Sequence, residues 1–195
     1  MAGSVFDLSD AANPLPDLFV VDTNIVAERL LDPVLAMLPD RNLVNAQRSN
    51  EFFGRLDNEK KSGLITQTVF SELIHLAIKF SYQQDAVAKG RSKSNWTRQY
   101  KANPTYIQTL QPRLQHLRFL LSSNRLVFIT PGDSGSGEPD TAFDRRLVEL
   151  CLTHSLDTQD AGILFEAERL GVVSIVTLDT DLQRAQSHFD IYTWL

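Results

Sequence analysis

The stretch Leu18-Phe19-Val20-Val21-Asp22-Thr23-Asn24 limits the fold of this chain more than any other. Four consecutive apolar residues, two of them β-branched, run straight into an acid. An apolar run this short and unbroken suits a strand buried on both faces, as in a parallel sheet. Ile25 to Leu31 follows at once and reads as a helix. Asp22 therefore falls at the carboxyl end of a central strand, the edge where open α/β sheets bind ligands. A carboxylate there is either the N-cap of the next helix or part of a site. Whether other acids reach the same edge decides between the two.

The rest of the chain alternates in the same way. Residues 1–17, with Asn13-Pro14-Leu15-Pro16, read as a tail, which leaves one domain over 18–195. A helix is expected over 45–61, with Phe52, Phe53 and Leu56 on its apolar face, lysines in its last turn and Ser62-Gly63 as its stop. Leu64-Ile65-Thr66 is a second strand. Thr68 then caps a helix through Phe80, whose Val69, Leu73, Leu76 and Phe80 keep helical spacing. Glu72 lies one turn into that helix beside Val69 and Leu76, either as a charge suited to the helix start or as part of a site. Pro104 opens a helix to about Ser122 that Pro112 kinks or splits. Leu126 to Thr130 is a third strand, and 131–140 is a surface loop by composition, with glycines but no phosphate-loop pattern.

A helix from Ala142 to about His154 carries Cys151 as core filling. Asp157 caps the next helix, which runs to Leu170 and stops at Gly171. Asp160 shares a face with Ile163, Leu164, Ala167 and Leu170, an odd polar member of an apolar stripe. A variant capping box with Asp157 is the plainer account of it. Val172 to Thr177 is a strand followed by Leu178-Asp179-Thr180-Asp181, and Asp190 to Leu195 closes the chain as an edge strand. Strands alternating with helices give an α/β fold with a mainly parallel sheet flanked by helices on both faces.

Composition narrows the setting. No apolar run approaches the roughly 18 residues of a membrane span, and no Lys or Arg precedes Arg29 to start a signal peptide. Cys151 is the only cysteine, so no internal disulfide forms, and a reducing, cytoplasmic location is expected. The net charge of −5 is unevenly spread: Lys79 to Arg125 holds nine bases and one acid, Pro131 to Asp181 eleven acids and three arginines. Separation of this kind suits a polyanion held by one part and chemistry on charged groups in another. The basic part includes a segment at about 82–103 in which Lys89, Arg91, Lys93, Arg98 and Lys101 are interleaved with Trp96 and Tyr100. It reads as a loop or helix-bearing insertion, suited to phosphate contacts and base stacking or to an excursion whose aromatics tuck onto the body.

Right-handed crossovers put every strand's carboxyl end on one edge, so Asp22, Glu72, Asp160 and Asp179 all map there. Two carboxylates about 4 Å apart repel by roughly 4 kcal/mol at an effective dielectric near 20. No Lys or Arg accompanies these acids in sequence, so either some stay protonated or divalent cations bind. All-oxygen ligands favour Mg²⁺ or Mn²⁺ over zinc, and such an ion can activate water against a phosphodiester.

Val20-Val21-Asp22-Thr23-Asn24, Val69-Phe70-Ser71-Glu72-Leu73, Asp160-Ala161-Gly162-Ile163 and Val176-Thr177-Leu178-Asp179-Thr180-Asp181 resemble, in order, the motifs of the PIN-domain ribonucleases, the fold that includes the VapC-type toxins. The resemblance implies a three-layer α/β/α fold and Mg²⁺- or Mn²⁺-dependent RNA cleavage. By that likeness Asp22, Glu72, Asp160 and Asp179 form the catalytic quartet, Asp22, Asp160, Asp179 and Asp181 hold metal, and Asn24 and Thr177 support it. RNA is then the substrate, a homodimer and an antitoxin are implied partners, and no membrane is involved. The chain is longer than compact toxins, through 82–103 and 131–140, which bears on the toxin role more than on the nuclease role. Two rivals remain: a degenerate module of the same fold that binds RNA or protein, and a haloacid-dehalogenase-type phosphatase. The latter wants a second Asp two residues after Asp22, where this chain has Asn24.

Overall fold

The computed structural model describes residues 3–36, 38, 42–94, 96–103, 105–130 and 143–195; the 131–140 loop and Pro104 lie outside them. Among the described residues six strands form one sheet, every neighbouring pair parallel, in a three-layer α/β/α arrangement. The strands are β1 (Val5–Asp7), β2 (Val20–Val21), β3 (Gly63–Ile65), β4 (Leu126–Phe128), β5 (Ser174–Val176) and β6 (Asp190–Thr193). Their spatial order is β1-β6-β5-β2-β3-β4.

The opening stretch lies at the centre, as its composition requires. Phe19, Val20 and Val21 are fully buried, while Leu18 is 49% exposed and stands outside the strand. Val20 pairs with Leu64 on one side and with Ile175 on the other. From β2 the chain builds outward through β3 and β4, then returns to β5 and builds the other way through β6. The strand order therefore reverses between β2 and β5. The crevice beyond the carboxyl ends of two such strands is the usual ligand site of an open parallel sheet.

The helices are α1 (Thr23–Leu30), α2 (Asp32–Leu35), α3 (Leu43–Glu59), α4 (Gln67–Ala88), α5 (Trp96–Ala102), α6 (Tyr106–Thr109), α7 (Gln111–Ser123), α8 (Phe143–His154) and α9 (Thr158–Arg169), with a 3₁₀ turn over Asp181–Ser187. Helix α1 packs on α3 and α4, α4 on α9, and α9 on α8. Cys151 is half-buried against the core, as expected.

Several boundaries differ from the expectation. Helix α3 ends at Glu59 with Lys60 in the left-handed conformation, so Lys60 and Lys61 fall beyond the helix. Gly63 opens β3 instead of stopping the helix, and a Cβ there would collide with the Val21 side chain. Thr66, not Thr68, caps α4, which runs to Ala88 rather than to Phe80. Its buried line is Val69, Leu73, Ala77 and Ser81; Leu76 and Phe80 are only half-buried. Small residues such as Ala77 and Ser81 give an apolar stripe little signature, which hid the last two turns. The basic insertion therefore begins with the end of α4 and carries a helix of its own, α5. Pro112 splits its helix as expected: α6 ends at Thr109 and the proline enters the first turn of α7, where its missing N–H is harmless.

Residues 3–17 are more than a tail. Val5, Phe6 and Asp7 pair with Ile191, Tyr192 and Thr193, and Phe6 stacks on Tyr192 at 4.6 Å. Leu8 and Leu15 are buried, and Arg55 donates to the carbonyls of Leu8 and Asn13. β6 is therefore an interior strand, and β1 and β4 are the edges. A three-residue strand shows no usable periodicity. No helix among the described residues is long and apolar enough to cross a membrane.

Candidate active site

The site lies where β2 and β5 end side by side. Asp22 is 4% exposed and does cap α1: one carboxylate oxygen accepts from the Thr23 amide at 2.6 Å. Its other oxygen accepts from the Thr177 hydroxyl at 2.5 Å, and Thr177 Oγ1 in turn accepts from the Asp179 amide at 2.8 Å. Cap and site are thus the same residue. Asn24 Oδ1 accepts from the Leu178 amide at 3.1 Å and ties the ends of the two strands together. Thr23 Oγ1 donates to Glu72 Oε2 at 2.6 Å across 49 positions of sequence. Sequence reading passed over Thr23, whose only visible signal was its place directly after Asp22.

Asp157 caps α9 through the amides of Gln159 and Asp160, as expected. Asp160 makes no reciprocal side-chain bond to Asp157 among the described residues, so a capping box does not explain it. It is half-buried and feels the other acids. Burial first, then the charges of Asp22, Asp157, Asp179 and Glu72, push its carboxyl up to about 7. Asp22 is also pushed up to about 7, chiefly by burial and further by Glu72 and Asp179, against the opposing hydrogen bonds from Thr177 and Thr23. Asp22, Glu72, Asp160 and Asp179 therefore form one electrostatic cluster drawn from four separate segments.

Asp181 stands apart from that cluster. Its amide donates to Asp179 Oδ1 at 2.8 Å, but its own carboxylate is exposed and pairs with Arg184 at 2.8 Å. As a metal ligand it is the weakest member of the expected set.

Helix α9 comes close to α4 because Gly162 faces it. A Cβ at Gly162 would lie 3.3 Å from Thr68 Cγ2, tighter than most real contacts. Glu166 on the same helix accepts from the Thr68 amide at 2.9 Å. The crossing carries Asp160 toward Glu72. Neither Gly162 nor Glu166 stood out in the sequence.

Among the described residues no Lys or Arg pairs with any acid of the quartet. No group of three or more His, Cys, Asp and Glu there is arranged to hold an ion as it stands. The donor chemistry nevertheless suits a hard cation: buried or half-buried carboxylates, mutually repelling, with hydroxyls beside them. Of the basic residues, Arg91, Arg98 and Lys101 are exposed, Lys93 is half-buried, and Lys89 pairs with Asp85 at 2.8 Å. Trp96 sets the edge of its ring against His75 at 5.2 Å, which fastens α5 to α4 one turn beyond Glu72. No protein-family model and no curated protein sequence matches the chain.

Proposed function

We propose that this chain is a Mg²⁺- or Mn²⁺-dependent endoribonuclease. The observation that carries the reading is the cluster of Asp22, Glu72, Asp160 and Asp179 at the reversal of strand order, without a cationic side chain paired to it among the described residues. Asp22, Asp160 and Asp179 would hold one or two ions. When bound, such an ion polarises the phosphate and acidifies a water ligand.

The chain's own groups do the rest. Thr177 fixes Asp22 and the Asp179 amide on one hydroxyl. Thr23 holds Glu72 in position to orient the attacking water and take its proton. In-line attack forms a bond from water oxygen to phosphorus and breaks the P–O3′ bond. The departing 3′ oxygen takes a proton, leaving a 5′-phosphate and a 3′-hydroxyl. Arg91, Lys93, Arg98 and Lys101, with Lys89 behind them, hold the RNA backbone.

The narrower reading follows from the likeness to PIN-domain proteins: a cytoplasmic toxin that pairs with itself and is held by an antitoxin. The decisive experiment is cleavage of single-stranded and structured RNA with Mn²⁺, with and without chelator. Cutting that disappears with chelator and in Asp22→Asn is the expected result. Full cutting in either case overturns the assignment. No cutting at all, together with no Mn²⁺-induced rise in melting temperature, returns the chain to the non-catalytic RNA- or protein-binding module.

A further inference from the structure

We infer that the groove between α4, α8 and α9 takes one unpaired nucleobase of single-stranded RNA, next to the phosphate that is cut. The inference rests on the ribonuclease reading and adds a specificity site to it. The groove encloses about 490 Å³ and has Glu72 in its wall, so it opens directly from the acid cluster. That volume is within the range of small-molecule sites.

Its chemistry suits a base better than a phosphate. On one side Phe143, 47% exposed and edge-on to Phe165 at 5.0 Å, offers a stacking surface. Also lining the groove, from α4 and α9, are Thr68, Ser71, Thr158 and Gln159, whose side chains make no hydrogen bonds among the described residues. Hydroxyls and an amide both donate and accept, as the edge of a base requires. The lining carries Glu72 and Glu166 against one arginine, Arg169, whose guanidinium lies over the Phe165 ring at 5.8 Å. A phosphate in the same place would meet two acids and one cation, whereas a neutral base would not be repelled. The backbone then lies outside, toward His75 and the Trp96 ring that leads to Arg98 and Lys101.

The test scans a single-stranded RNA nonamer, one abasic position at a time, and measures Mn²⁺-dependent kcat/KM for the full chain. Three proteins are compared: the parent chain, Ser71→Trp, which fills the groove, and Gln159→Ala, which removes the reading amide. Both altered residues are exposed, and a thermal melt confirms folding of each. One abasic position beside the cut should lower kcat/KM about tenfold in the parent. The same position should matter less than about twofold in Ser71→Trp, with an intermediate loss in Gln159→Ala. Equal losses in all three proteins overturn the groove inference while leaving the ribonuclease reading intact. If the parent cuts nothing, that reading fails instead. The same scan read by fluorescence anisotropy then judges the groove, and binding indifferent to every abasic position, or no binding, overturns it.

Discussion

Asp22 carries two duties that pull in opposite directions. As a cap it is stabilised by the Thr23 amide and the Thr177 hydroxyl, and as a buried charge among other acids it is destabilised. Removing the charge while keeping the shape separates them. Asp22→Asn should abolish metal-dependent cutting, by at least about a hundredfold, yet melt no lower than the parent at pH 8. Differential scanning calorimetry beside a cleavage assay checks both. A pH series should show the same conflict. Folded Asp22 and Asp160 titrate near 7, whereas unfolded aspartate titrates near 3.9. Between those values the folded chain holds more protons than the unfolded one, so stability falls as pH rises through the window. For Asp22 this is about 2–4 kcal/mol, or about 5–10 °C of melting temperature in metal-free buffer between pH 4 and pH 8. Mn²⁺ should restore part of the loss, and Asp22→Asn should flatten the slope. The acids themselves were legible in the sequence, because each follows a strand or opens a helix. The Thr23 bond to Glu72 was not, since nothing local relates residues 49 positions apart.

Among the elements, the crossing of α4 and α9 sets how near Asp160 comes to Glu72. Gly162 makes room at that crossing, against Thr68. Gly162→Val should push the helices apart, cost about 1–3 kcal/mol in a denaturant melt, and lower cutting more than it lowers RNA affinity. Alanine is a poorer test, because the helix propensity it gains opposes the crowding. What was readable at this scale followed from strong signals. Phe52, Phe53 and Leu56 marked α3, and Asp157 and Gly171 bracketed α9. What was missed followed from weak ones. Ala77 and Ser81 continued the buried face of α4 with little side chain to announce it, and Val5 to Asp7 is too short to alternate.

For the molecule as a whole, the uneven charge makes a claim about salt. If the exposed Arg91, Arg98 and Lys101 hold phosphates, changing all three to Ala should weaken single-strand RNA binding and flatten its salt dependence. Each lost phosphate contact lowers the slope of log K against log salt by about 0.7. Fluorescence anisotropy from low to moderate salt measures it. An unchanged slope assigns the basic segment to a protein surface instead. The α/β class and parallel sheet were readable from alternation alone. The position of β6 inside the sheet was not, because it depends on a strand from the opposite end of the chain.

That pairing of first strand with last has a consequence for the order of synthesis. Val5 to Asp7 finds no neighbour in the sheet until Asp190 to Thr193 has been made, and Val20 lacks one flank until Ser174 to Val176 arrives. A nascent chain can display Asp22 and Glu72 for most of translation while Asp179 and the strand that delivers it do not yet exist. On the ribonuclease proposal, a nascent chain that has not yet reached Asp179 would lack one acid of the quartet, so RNA cutting should begin only once β5 and Asp179 have been made.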